Sequence, residues 1–199
     1  MKLIQKSIFL LIFCVAMMST TAHAADHKLY FEFFGNIANV TIEHFPGTGA
    51  KPTLTQGDIG LTLAYRLSRG IAFGITSDFR QVGQWSDVDP QTGNFRGTRF
   101  NTASPTLLFT FSRVIFKFEY ELMGDYILTN STVQGGTISY RSPTGERISL
   151  IYMIKEHVGL GLEYEAISYS SFNDSIQGNT TLNPKFKMNS MGLSLSLIF

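Results

Sequence analysis

The feature that most constrains this chain is a hydrophobic period of two residues that recurs along almost its whole length. Ile59 to Leu67 reads IGLTLAYRL, with an apolar side chain at every odd position and Gly60, Thr62, Ala64 and Arg66 between them. Side chains of a strand alternate between two faces, whereas a helix repeats every 3.6 residues, so this spacing predicts a strand. Phe116 to Leu122 (FKFEYEL), Leu160 to Ala166 (LGLEYEA) and Leu193 to Phe199 (LSLSLIF) follow the same rule. So do Leu29 to Ile42, Ile71 to Gln81, Thr102 to Phe111 and Arg147 to Ile154, which brings the expected strands to eight. In the first of them Glu32, Phe34 and Asn36 share a face, and Val40 and Ile42 fit the pattern only if the phase slips near Ile37 and Ala38, as at a β-bulge.

The connections alternate in length. Ser68-Arg69-Gly70, Ser112-Arg113-Val114 and Lys155-Glu156-His157 are tight links. The others, about residues 45–55, 82–100, 129–146 and 170–185, are long and rich in Gly, Pro, Thr, Asn and Ser. An up-and-down antiparallel arrangement follows, with three short turns and both termini at one end and four loops at the other. No linker or second domain interrupts it.

Alternation alone does not say which face meets water, and three details decide. The polar positions are often small (Gly60, Thr62, Ala64; Ala72, Gly74, Thr76; Gly192, Ser194, Ser196), as a narrow lumen requires. The apolar positions carry rings at Phe73, Phe109, Phe111, Phe116, Phe118, Tyr120, Tyr126, Tyr152 and Tyr164, which suits a lipid-facing band with interfacial aromatics. The last residue, Phe199, is in phase with that apolar face. Composition agrees: only 16% of residues are charged against about 25% in ordinary soluble domains. The near-neutral balance argues against nucleic acid as a partner. An open sheet in lipid would leave backbone groups unpaired, so the sheet must close.

The first 24 residues read as a cleaved signal peptide: Lys2 and Lys6, an apolar run from Ile8 to Met18, then Ala22-His23-Ala24. The run is too short for a spanning helix, which needs about 20 apolar residues. Cleavage would remove both lysines and Cys14, taking the formal charge from +1 to −1 and leaving no disulfide framework. The expected organisation is residues 1–24 as signal peptide and 25–199 as one barrel domain.

On these strands the chain resembles the small eight-stranded outer-membrane barrels of Gram-negative bacteria, the OmpA and OmpX type. Its ending Gly192-Leu193-Ser194-Leu195-Ser196-Leu197-Ile198-Phe199 is similar to the C-terminal assembly signal of such barrels. Gly192, Leu193, Leu195, Leu197 and Phe199 carry that likeness. The resemblance implies an outer-membrane location with both termini periplasmic, contact with outer-membrane lipid, insertion by the barrel-assembly machinery, and loops able to meet an extracellular ligand. Unlike OmpA, the chain has no room for a peptidoglycan-binding domain after Phe199.

Eight strands leave an interior just wide enough for side chains. The inward positions hold Glu32, Arg66, Asp78, Arg80, Lys117, Glu119, Glu121, Arg147, Glu163 and Glu165, expected as a lumen charge network. Counted from the turns, the five glutamates fall at similar heights, with Arg147 and Arg80 near or above them. Ion pairs filling the lumen are one reading and a carboxylate-lined proton or ion path the other.

Catalytic signals are sparse. Some barrels of the resembled kind modify lipid A with histidine, serine and an acid, but His27, His44 and His157 lie at strand ends and Ser77 and Asp78 face opposite ways. Asp87 to Gly93 (DVDPQTG) lacks the closing glutamate of a calcium-binding EF-hand and reads as a solvated turn. No catalytic, cofactor or metal residue is assigned. The expected role is non-enzymatic, structural, adhesive or binding, with a lipid-modifying enzyme or a narrow transport barrel as alternatives.

Overall fold

The computed structural model describes residues 29–43, 53–83, 96–128, 138–174 and 178–199. The expected signal peptide, His27, His44 and the Asp87–Gly93 turn lie outside them. The strands are β1 (Leu29–Glu43), β2 (Thr53–Ser68), β3 (Ile71–Gly83), β4 (Arg96–Phe111), β5 (Val114–Glu121), β6 (Tyr126–Leu128), β7 (Ile138–Lys155), β8 (Val158–Asp174) and β9 (Gly178–Ile198). Each is antiparallel to its neighbours, and the ladder closes where Glu32–Glu43 of β1 pair with Ile198–Lys187 of β9. Strands β5 and β6 each lie between β4 and β7 and form two halves of one stave, so the ring has eight staves.

Closure satisfies the backbone inside the sheet, and the side chains sort by the pleat. Leu29, Phe31, Phe33 and Ile37 of β1 point outward, as do Leu61, Phe73, Leu150, Leu162 and Leu195 from other staves. On β1 this apolar face covers residues 29–37, about 26 Å of strand at 3.3 Å per residue, and about nine residues is the length a tilted strand needs to cross a membrane. Beyond it the outward positions turn polar: Asn39, Gln81, Thr98, Glu146, Ser168 and Asn189.

Several expectations need correction. The slip near Ile37 and Ala38 is absent: β1 alternates without interruption, and Val40 and Ile42 are fully buried inside the barrel. They are apolar because the lumen itself becomes apolar at that height. The strands also run further than the period showed. β2 starts at Thr53, β4 at Arg96, β7 at Ile138, and β8 and β9 pair out to Asp174 and Gly178, so much of the expected loop sequence is polar-surfaced strand.

The fifth stave is broken. Leu122 to Asp125 leave the ladder, Gly124 has φ 103°, and residues 100–105 of β4 and 141–144 of β7 have no ladder partner there. Pro105 and Pro143, which lack an N–H, sit in those stretches. The break resets the phase, so Tyr126, expected among the outward rings, points inward and is buried. Gly97 faces it, and any Cβ there would strike the Tyr126 phenol.

Candidate functional site

The lumen is stacked in three layers, each following from which residues the pleat turns inward at one height. Nearest the turns Tyr30, Ala64, Ala72, Leu108, Ile115, Ile151 and Ile198 pack together. At the loop end Val40, Ile42, Leu54, Val82, Tyr126, Tyr140, Ile167, Tyr169, Phe186 and Met188 form a second apolar cluster. Within it the rings of Tyr140 and Phe186 stack with centroids 4.1 Å apart.

Between these clusters lies the charged layer. Arg147 is fully buried, and its guanidinium ion-pairs with Asp78 (3.0 Å), Glu163 (3.3 Å), Glu121 (3.4 Å), Glu119 (3.5 Å) and Glu165 (3.7 Å). Arg80 forks onto Asp78 through Nε (2.9 Å) and Nη2 (3.0 Å), reaches Glu121 at 2.5 Å, and bonds Glu165. Lys117 donates to Glu32 (3.0 Å), ion-pairs with Glu119 (3.3 Å), and lies 4.1 Å from the centre of the Phe34 ring. Neutral donors complete the layer: Asn36 to Glu163 (2.6 Å), Ser196 to Glu32 (2.7 Å) and Asn101 to Asp78 (3.3 Å). Below, Thr62, Thr76 and Thr106 join hydroxyls across three strands at 2.9 and 2.8 Å. Gly60 leaves room for Phe34, since a Cβ there would lie 2.5 Å from Cζ of the ring.

The structure thus brings together Glu32, Asp78, Arg80, Lys117, Glu119, Glu121, Arg147, Glu163 and Glu165. Arg66 stands apart: it is half-buried beside the β2–β3 turn, and no ion pair among the described residues joins it to the layer. Two members were missed in the sequence. Asp58 lies one step before Ile59, in phase with Gly60 and Thr62, and is 3.9 Å from Arg80. Extending the alternation by one pair would have found it. Arg99 bonds Glu121 and donates to the carbonyls of Gly124 (3.1 Å) and Met123 (2.8 Å), the segment where the fifth stave breaks. An extra residue between Asn101 and Ser104 flips the inward phase of β4, so no single period includes both Arg99 and Thr106.

The oxygens of Asp78, Glu119 and Glu121 come within 4.8 Å of one another, a spacing that could hold a cation. Arg147 pairs with all three, so a guanidinium already supplies the positive charge there. Taking charges out of water is costly, and the cost is offset only where partners converge, as they do here.

At the turn end Phe199 locks the seam. Its N–H donates to Phe31 O (2.8 Å), its carbonyl accepts from Phe31 N (3.1 Å), and its ring stacks on His157 at 5.2 Å. Nδ1 of His157 lies 2.8 Å from the Ile198 carbonyl. Leu193, Leu195 and Leu197 point outward, while Gly192 faces in, where a Cβ would meet Ile37 O at 2.5 Å.

No protein-family model and no curated protein matches the sequence. Solved structures do match in fold. Neisserial surface protein A (NspA) aligns over 84% of this chain and 96% of its own at 12% identity, with a TM-score of 0.58. Ail, the attachment invasion locus protein of Yersinia pestis, aligns over 87% of this chain and all of its own at 13% identity, with a TM-score of 0.52. The chain has the fold of the small eight-stranded outer-membrane β-barrels.

Proposed function

We propose that this protein resides in the bacterial outer membrane as a non-enzymatic, closed barrel that anchors four loops at the cell surface, with the short turns and both termini in the periplasm. The observation that carries this reading is the three-layer lumen: an ion-paired layer between two apolar ones gives water no continuous polar path. Such an interior stiffens a scaffold, and the parts left to act are the loops and their polar strand extensions. Ail is named for attachment and invasion, and an adhesive or ligand-binding role of the loops here is the corresponding reading. The one histidine among the described residues, His157, is stacked on Phe199 at the turn end, away from the charged layer. The ending from Gly192 to Phe199 serves as the assembly signal for the insertion machinery.

Tags inserted near Gly47, Gly93, Gly136 and Gln177 test the topology. Labelling of all four on intact cells, with a tag at Arg113 protected, is the expected pattern. Labelling only at Arg113 reverses the orientation. The scaffold reading further requires that the native protein show no sustained ion conductance in planar bilayers; steady, ion-selective current would overturn it in favour of transport.

A further inference from the structure

The turn end of the barrel carries an uneven charge that neither the lumen nor the loops account for. Arg69 sits in the β2–β3 turn, Arg113 in the β4–β5 turn and Lys155 at the end of β7, all exposed. Each lies one or two residues past the last outward apolar side chain of its strand: Leu67, Phe111 and Ile154. These hairpins follow one another at two-stave intervals, about 10 Å around the wall, so the cations are spread along the rim and no two compete for one anion. Opposing them among the described residues at that end are Glu156 and the terminal carboxylate of Phe199.

The loop-end boundary is different. There the outward Lys185, Lys187 and Arg141 are matched by Glu43, Glu146 and Asp125, and Arg141 pairs with Asp125 at 3.4 Å. A second observation fixes the depth of the turn-end cations. Outward rings lie just inside them: Tyr65, Phe73, Tyr152 and Phe199 are each about half exposed, and Phe111 packs edge-on against Phe116 at 6.0 Å. Rings of this kind mark the membrane–water boundary, so groups one or two residues beyond them stand at the level of lipid phosphates.

We propose that this rim is a docking surface for anionic phospholipids, with Arg69, Arg113 and Lys155 each holding the phosphate of a separate headgroup. A zwitterionic headgroup brings its own ammonium to compete for that phosphate, whereas a glycerol headgroup does not. The guanidinium of an arginine can also grip two phosphate oxygens at once. The proposal rests on the barrel being inserted in a bilayer, but not on which way it points.

The test uses the full chain folded into phosphatidylcholine bilayers containing one-tenth phosphatidylglycerol, and measures by mass spectrometry which lipids stay on the barrel after extraction. A basic residue near an anionic surface is worth roughly a fivefold preference. Phosphatidylglycerol is therefore expected to exceed its bulk share several-fold on the wild type and to return to it in R69Q/R113Q/K155Q. It should persist in the loop-end control K185Q/K187Q, and R113Q alone should show a partial loss even if the triple variant folds poorly. No excess on the wild type, an excess kept by the triple variant, or one lost in the control would each overturn the proposal. A heat-modifiable gel band is scored in parallel: its absence in the wild type would overturn the membrane reading itself, whereas its presence without lipid preference would overturn only the headgroup assignment.

Discussion

Arg147 shows how much of this molecule rests on single side chains. Its guanidinium reaches five carboxylates, yet only the contact with Asp78 has hydrogen-bond geometry; the others are ion pairs made by proximity. Its main contribution is therefore balance of charge among fully buried groups. Removing one partner of a buried ion pair strands the other and costs about 3–5 kcal/mol. Arg147→Ala is expected to lower barrel stability by that order, measured by denaturant unfolding in lipid vesicles. Glu163→Gln in the same chain should recover part of the loss, because it removes one of the stranded charges. An unchanged stability in Arg147→Ala, or no recovery in the double variant, would show that the charges are balanced by other groups. The residues of this layer were mostly legible in the sequence, because a charged residue between two large apolar ones in a strand must face away from lipid. Arg66 obeys the same alternation without joining the layer, since alternation specifies a face and not a height. Asp58 escaped because its strand was begun one residue too late.

Among the elements, the fifth stave departs most from regular pairing. The break at Leu122–Asp125 takes carbonyls out of the ladder, and Arg99 satisfies two of them from inside. Hydrogen bonds from charged donors contribute about 1.5–3 kcal/mol each. Arg99→Met is accordingly expected to speed amide hydrogen exchange in residues 121–128 while the β1–β9 seam stays protected. Uniform protection throughout would mean that the break is held closed by other contacts. This element was illegible in the sequence for a definite reason: period two assumes an unbroken pleat, and both the extra residue in β4 and the break after β5 reset the phase. The opposite error occurred in β1. There the pleat is unbroken, and the change from Glu32 and Asn36 to Val40 and Ile42 records a change of lumen chemistry that a one-face rule takes for a slip. For β9 the expectation concerns assembly. Full burial of one large apolar side chain is worth about 2 kcal/mol, and Phe199 is more than half exposed. Deleting it should nevertheless reduce membrane levels far more than so small a stability change implies, if the assembly machinery reads it. Normal membrane levels would count against the signal.

At the scale of the whole molecule the barrel inverts along its axis. In the apolar band the outside is Leu, Ile and Phe and the inside is the charged layer over the small apolar cluster at the turns; above it the outside is Ser, Thr, Asn and Lys and the inside is Tyr140, Tyr169 and Phe186. In the proposed membrane placement the same alternation serves two solvents in turn, lipid below and water above, and the upper part is the one that gains from the hydrophobic effect as a soluble core does. Large-to-small changes in such a core cost about 3–5 kcal/mol for an aromatic ring. Tyr140→Ala combined with Phe186→Ala should therefore loosen the extension, seen as new protease cuts within residues 138–146 and 178–188. The band below, held by its own ladder and the ion-paired layer, should keep its heat-modifiable form. Because the layers act in series, ion flow is limited by the tightest, so this variant should remain non-conducting with Arg80 and Arg147 still in place. Sustained current through the double variant would instead make the aromatic layer the sole seal and the charged layer beneath it permeable to ions, and loss of the heat-modifiable form would show that the two halves of the barrel fold as one unit.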